Sequence, residues 1–279
     1  MTVTATSQMP RVGVVFRPQL PPERLRGYLE LAESAGLDDV WLWEDCFAEG
    51  GLTTAAAALA WTGSLRIGLG LMPAPMRNPA LAAMEVATLA RLFPGRFVPA
   101  AGHGVQDWMQ QIGGRVESPV TLLREWVTAV RSLLHGQAVT ISGRYVRLDG
   151  VTLAWPPAVV PPLLVGARGR RTLALAGEHA DGLVLDAGIE PGQVRQAVAT
   201  AAARRPHEVV VYLSGPAAVR TAGLAAGPAA GFPGEPGVLA GVIRTCAEAG
   251  ATTVVIEPAA GDPDPAATIR LAGAARAVR

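Results

Sequence analysis

Short runs of β-branched and aliphatic residues alternate with segments whose apolar positions recur at helical spacing, and this alternation runs along nearly the whole chain. Arg11–Phe16 reads as a strand. Glu23–Ala35 reads as a helix, with Leu25, Tyr28, Leu29 and Ala32 on one face and Gly36 as its stop. The pattern continues with a strand over Asp39–Trp43, an Ala-rich buried helix over Thr53–Trp61 and a strand over Arg66–Leu71. Asn78 is placed to cap a helix that has Pro79 at its first position and ends near Phe93. Phe97–Ala101 is the fourth strand, and Thr121–Leu134 is a helix with Leu123, Trp126, Val127, Val130 and Leu134 on one face.

The alternation then breaks. Ala138–Ile141, a turn at Ser142–Gly143 and Tyr145–Leu148 read as a hairpin, followed by a stiff linker from Pro156 to Pro162. Strand–helix units resume with Leu163–Gly166 and Arg171–Glu178, then Gly182–Asp186 and Pro191–Arg204, then the strand Glu208–Ser214. Thr221–Gly237, rich in Gly, Ala and Pro, reads as loop; Val238–Ala249 is a helix, Thr252–Glu257 the last strand and Ala266–Val278 the last helix. Eight strand–helix units in series predict an α/β fold, a (β/α)8 TIM barrel with a small hairpin insertion between units four and five, as one domain over residues 1–279. An open doubly wound sheet is the alternative. Its nucleotide site needs a Gly-rich first turn, and Arg17-Pro18-Gln19-Leu20-Pro21-Pro22 is not one.

Composition narrows the chemistry. Half the residues are hydrophobic and 17% are charged, so a large core can form. A net charge of +1 with both signs scattered gives no reason to expect nucleic acid as a partner. No apolar run reaches the roughly 20 residues of a membrane span, and Met1–Pro10 lacks the pattern of a secretory signal. All 24 basic residues are Arg, which excludes a Schiff-base lysine. Cys46 and Cys246 are far apart and the four histidines are not at ligand spacing, so neither a disulfide framework nor a zinc or iron site is expected. A cytoplasmic protein with free thiols is the plain reading.

In a barrel of this kind chemistry sits where strands end. After strand three, Gly68-Leu69-Gly70-Leu71-Met72-Pro73-Ala74-Pro75-Met76-Arg77-Asn78-Pro79 is a deformed strand end or a proline-stiffened turn. After strand five, Gly166-Ala167-Arg168-Gly169-Arg170-Arg171 opens a helix, a pattern suited to a phosphate or to a solvated basic helix start. After strand four, Gly102 and Gly104 leave room for a ligand beside His103, which is otherwise a hydrogen-bonded structural histidine. After strand two, Trp43-Glu44-Asp45-Cys46 offers two carboxylates, of which at most one faces the centre. Cys46 reads as a small apolar residue.

Together these segments resemble the luciferase-like superfamily, especially its deazaflavin-dependent reductases and dehydrogenases. The resemblance rests on Asp39–Asp45, Gly68–Pro79, Pro94-Gly95-Arg96-Phe97, Gly166–Gly169 and Ala180-Asp181-Gly182, and covers roughly Val12 to Ala187. It implies a non-prolyl cis peptide at Gly70–Leu71, with that segment and Met72 against the back of an isoalloxazine ring. It implies a cofactor phosphate on Ala167, Arg168, Gly169 and Arg170, with Gly102 close by. Asp181 and Gly182 are implied to shape the turn into strand six. Many members of the family carry Ser-Asp-His where this chain has Trp43, Glu44 and Asp45, and dehydrogenase members carry Glu where it has Val105. Asp45 and His103 thereby become the acid/base candidates, and Trp43 and Arg77 the candidates for meeting substrate or an anionic cofactor tail.

The resemblance implies an oxidoreductase that moves a hydride between reduced coenzyme F-420, a deazaflavin, or FMN and a small organic substrate. An FMN-dependent monooxygenase, a non-catalytic flavin-binding paralogue and an unrelated barrel lyase or isomerase are the other readings. A homodimer that buries the Thr53–Trp61 helix is a further expectation.

Overall fold

Each strand–helix unit of the computed structural model buries its β-branched run on both sides, between a lumen and a layer of helices. Residues 9–186, 188–202, 207–224, 231–259, 262 and 264–278 are described. Along the chain lie β1 (Arg11–Phe16), α1 (Leu25–Ser34), β2 (Asp39–Leu42), α2 (Gly51–Trp61), β3 (Arg66–Pro73), α3 (Pro79–Leu92) and β4 (Phe97–Gly102). Then come α4 (Gln106–Gln111), α5 (Pro119–Leu134), β5 (Val139–Ser142), β6 (Arg147–Val151), β7 (Leu164–Gly166), α6 (Arg170–His179) and β8 (Gly182–Leu185). The remainder is α7 (Pro191–Ala201), β9 (Glu208–Ser214), α8 (Gly215–Thr221), α9 (Pro236–Glu248), β10 (Thr253–Glu257) and α10 (Ala266–Ala277).

Eight strands close into a parallel barrel in the order β1-β10-β9-β8-β7-β4-β3-β2, the expected (β/α)8 fold. The expected hairpin is there too: β5 and β6 pair antiparallel outside the barrel, between β4 and β7. The β4–β7 joint is short, with only Ala100 opposite Leu164 and Ala101 opposite Val165 in register.

Two apolar layers follow from strand alternation. Residues pointing out, among them Val12, Val14, Leu42, Leu69 and Ile256, pack under the helices. Residues pointing in, among them Val15, Trp41, Val98, Leu164, Val210, Tyr212 and Val255, fill the lumen. Helix boundaries follow local chemistry. The Asn78 side chain accepts from Ala80 N–H ahead of Pro79, and Gly36 ends α1's turn with φ +73°. At the N-terminal end of the barrel, buried Asp39 on β2 takes two bonds from Arg66 on β3, which also reaches Glu208 on β9. This ionic plug ties three strands together at that end.

The structure departs from the pattern in a few places. Helices α4 and α8 are present where none was expected, and α9 begins at Pro236, inside the stretch expected to be loop. Residues 225–230 of that stretch, and the last residues expected for the Pro191–Arg204 helix, lie outside the described residues.

Candidate active site

The floor of the site is set by two aromatic residues and the glycines that make room for them. Trp41 fills the lumen, and a Cβ on Gly68 would lie 2.2 Å from its indole ring. The buried Tyr212 meets Trp41 edge-on at 5.9 Å and Trp43 at 5.6 Å, and its hydroxyl donates to the carbonyl oxygen of Gly70 at 3.3 Å. The Gly70–Leu71 peptide is cis. The pairing of β3 with β4 slips between Leu69 and Met72, which interrupts the two-residue alternation. Leu71 therefore packs with the lumen residues, while Met72 turns outward and is buried beneath the helices.

Above this floor the C-terminal strand ends surround a cavity of about 430 Å³, within the roughly 300–1,000 Å³ range usual for small-molecule sites. Trp43, Asp45, Gly70, Leu71, His103, Ala167, Arg168 and Gly169, all singled out from the sequence, line it together. Pro73, Val105, Trp108, Thr172, Val184, Asp186 and Tyr212 complete most of the wall.

Burial sets the electrostatics. His103 has its Nε2 buried without a hydrogen-bond partner, and desolvation pushes its pKa below the usual 6.5, so the imidazole is neutral at neutral pH. Desolvation raises the Asp45 carboxyl above 3.8, against the opposing pull of Arg17. Arg17 lies over the Trp43 ring at 5.2 Å and donates to Glu257 at 2.6 Å. These contacts hold the indole from behind.

The turn from β7 into α6 forms a second wall. Its N-cap, Gly169, provides no side-chain hydrogen bond to the first turn, which leaves the amide ends and the positive dipole end of the helix for an anion. Arg168 stands beside it with its side chain 84% exposed, at 3.6 Å from Asp186.

Four of the residues singled out from the sequence do not line this cavity. Met72 is in the outer core for the register reason given above. Gly102 is buried under Leu71, whose Cδ atoms would be 2.7 Å from a Cβ there. Arg170 lines a neighbouring cavity of about 460 Å³ between α6 and α7, which shares Ala167, Arg168 and Asp186 with the first. Arg77 is clamped by the buried Glu44, with Nη1 2.6 Å from Oε2, and its carbonyl accepts from the Trp126 indole. Glu44 also accepts from Gly51 N–H at the start of α2. Both adjacent carboxylate residues border the cavity, but Glu44 is held by Arg77 and Gly51 N–H while Asp45 is not so tied.

Tyr212, Asp186, Thr172 and Trp108 were not singled out from the sequence. Asp186 directly follows a strand and Thr172 follows the basic turn, so position alone could have drawn attention to them. Tyr212 lies within its strand, two positions before the end, and Trp108 lies on the short helix α4.

The model of the luciferase-like monooxygenase family matches residues 2–228. A 5,10-methylenetetrahydromethanopterin reductase of Methanolobus tindarius is 31% identical over 175 residues, 63% of this chain and 53% of that protein. An F420-dependent glucose-6-phosphate dehydrogenase of Nakamurella multipartita is 31% identical over 195 residues, 62% of this chain and 55% of that protein. The chain thus spans about half the length of these curated relatives. The solved coenzyme F420-dependent tetrahydromethanopterin reductase of Methanopyrus kandleri superposes with a TM-score of 0.78 at 20% identity, covering 95% of this chain and 98% of that one, and so shares its barrel. With the family model matching most of its length, the chain belongs to the luciferase-like monooxygenase family.

Proposed function

We propose that this protein is an oxidoreductase that moves a hydride between a deazaflavin, coenzyme F-420, and a small organic substrate at the barrel mouth. The observation that carries the reading is one cavity joining an apolar bed, made by Leu71, Val184 and Tyr212, to the basic helix start at Ala167–Gly169. Those residues fit a planar ring with a phosphorylated tail. The F420-dependent relatives support the choice of cofactor. When bound, the deazaflavin supplies the hydride chemistry. The protein's part is to position, desolvate and move a proton. Leu71 and Tyr212 carry the ring's face, and Arg168 with the α6 amides holds the phosphate. His103 and Asp45 face the space where substrate oxygen is protonated or deprotonated, and Trp43 bounds it.

The family's description favours one second reading, an FMN-dependent monooxygenase. Titration of the purified protein with coenzyme F-420 and with FMN, followed by cofactor fluorescence, separates the two. Tighter binding of coenzyme F-420 and consumption of its reduced form are expected. Binding without turnover points to a non-catalytic paralogue, and no binding of either cofactor overturns the reading.

The outer faces of the adjacent helices α2 and α3 leave Trp61, Leu81, Met84 and Leu92 exposed. A second copy of the chain covers them in this reading, which sedimentation would test. A cytoplasmic setting accords with the unpaired thiols of Cys46 and Cys246. Among the described residues no helix is long and apolar enough to cross a membrane.

A further inference from the structure

The order of strands around the barrel places β2, β3 and β4 across the mouth from β8, β9 and β10. From the first side Trp43, Pro73, Val105 and Trp108 reach the cavity, with Asp45 and His103 among them. The anion-binding helix start follows β7, which pairs with β4 at the edge of that side. Substrate therefore meets a wall that is mostly aromatic and aliphatic.

Charge on that wall is one-sided. Among the described arginines, the two behind this wall and the one that lines the cavity each already have a carboxylate, while Arg170 faces the neighbouring cavity. Arg17 is paired with Glu257 at 2.6 Å, Arg77 with Glu44 and Arg168 with Asp186 at 3.6 Å. Arg168 is the most exposed of the three and sits at the cofactor end. Asp45 remains in the cavity with no cation bonded to it there. A phosphorylated or carboxylated substrate on this wall would bring its charge against Asp45 and lose hydration with no free described cation on the wall to receive it. An uncharged molecule leaves water at little cost, and the imidazole of His103, which lines the cavity, meets its oxygen.

We infer that the substrate is an uncharged alcohol–carbonyl pair with apolar substituents, and not a sugar phosphate. The inference rests on the deazaflavin reading. In the oxidising direction the carbinol C–H bond breaks and its hydride passes to the oxidised deazaflavin. The hydroxyl proton passes to the His103 imidazole and on to solvent, and the C=O bond forms. The reducing direction reverses each transfer.

Saturation-transfer NMR on the cofactor-free protein, with excess inorganic phosphate to fill the anion-binding turn at Ala167–Gly169, tests it with cyclohexanol, cyclohexanone and glucose 6-phosphate, followed by rates for cyclohexanol and glucose 6-phosphate with oxidised coenzyme F-420. Transfer to the two neutral compounds and not to the sugar phosphate is expected. Val105→Arg, which places a cation on the apolar wall, should raise glucose 6-phosphate affinity at least tenfold and weaken cyclohexanone. Equal or better binding or oxidation of glucose 6-phosphate by the unaltered protein overturns the inference while leaving the cofactor reading in place. Failure of every neutral compound to bind overturns it as well. If coenzyme F-420 does not bind in the titration, the functional reading fails, and the NMR comparison still decides the polarity of the site.

Discussion

The hydroxyl of Tyr212 on β9 and the carbonyl of Gly70 on β3 join opposite strands of the barrel at 3.3 Å, and a Cβ on Gly70 would lie 2.2 Å from that same hydroxyl oxygen. The two positions are therefore coupled twice, by a bond and by a shared space. Tyr212→Phe should cost about 1–2 kcal/mol through the lost buried hydrogen bond. Gly70→Ala should cost about 2–3 kcal/mol through overpacking. In the Tyr212→Phe background the second cost should shrink by about 0.5 kcal/mol or more, because the nearest clashing atom is gone. It should not vanish, since Trp41 Cε3 would still be 2.9 Å away. Urea denaturation of the four proteins gives the cycle, and strict additivity would refute the coupling.

Arg168 tests the anion end. With its side chain 84% exposed, Arg168→Glu should leave the circular dichroism spectrum and melting temperature nearly unchanged. It should weaken coenzyme F-420 binding at least tenfold. Asp186→Asn, which frees the guanidinium from its partner, should strengthen binding. Unchanged affinity in both variants would remove the phosphate role from this turn.

The pH dependence of turnover follows from His103. Burial lowers its pKa from 6.5, so the neutral form persists below that pH and is lost only in more acid solution. The acid limb of kcat/KM should therefore lie below 6.5. In His103→Gln that limb should disappear and the rate fall by about 10²–10⁴. A limb that persists unshifted in this variant would pass the assignment to Asp45, whose carboxyl burial moves the other way, above 3.8.

Acid should release the hairpin before the barrel. Glu125 on α5 accepts from the backbone amides of Arg144, Tyr145 and Val146 at 3.0, 2.9 and 3.0 Å. Burial works against its ionisation, but these bonds outweigh that and hold its carboxyl below the usual 4.5. Their contribution is complete above 4.5 and is lost as the pH falls through the lowered value. Hydrogen exchange at these three amides should accelerate there, ahead of the barrel strands. Glu125→Gln should reproduce the acceleration at neutral pH.

The barrel and most of the cavity were legible in the sequence because both are written in local patterns. Period-two and helical runs mark the units, and residues just after strands must fall at one end. What escaped depends on contacts distant in sequence or on broken periodicity. Met72 was expected at the cofactor, but the slip between Leu69 and Met72 reverses its side. Arg77 looked like a free cation, and only folding brings Glu44 against it. Helix α4 is too short to display a face, and α8 opens on Gly215-Pro216, which reads as a break. Tyr212 is one more aromatic in a strand until Gly70 is seen across from it.

The brief joint between β4 and β7, two residue pairs wide, lies where the β5–β6 excursion leaves the barrel. A backbone cut in the Ser142–Gly143 turn would divide the chain into two pieces, each holding four consecutive staves of the cask. Co-expressed, such pieces would have little to re-form at that seam and much to gain by closing around Trp41 and Tyr212. The insertion thus marks the place where the protein can be split into complementing halves, and where a reporter of their reunion could be attached.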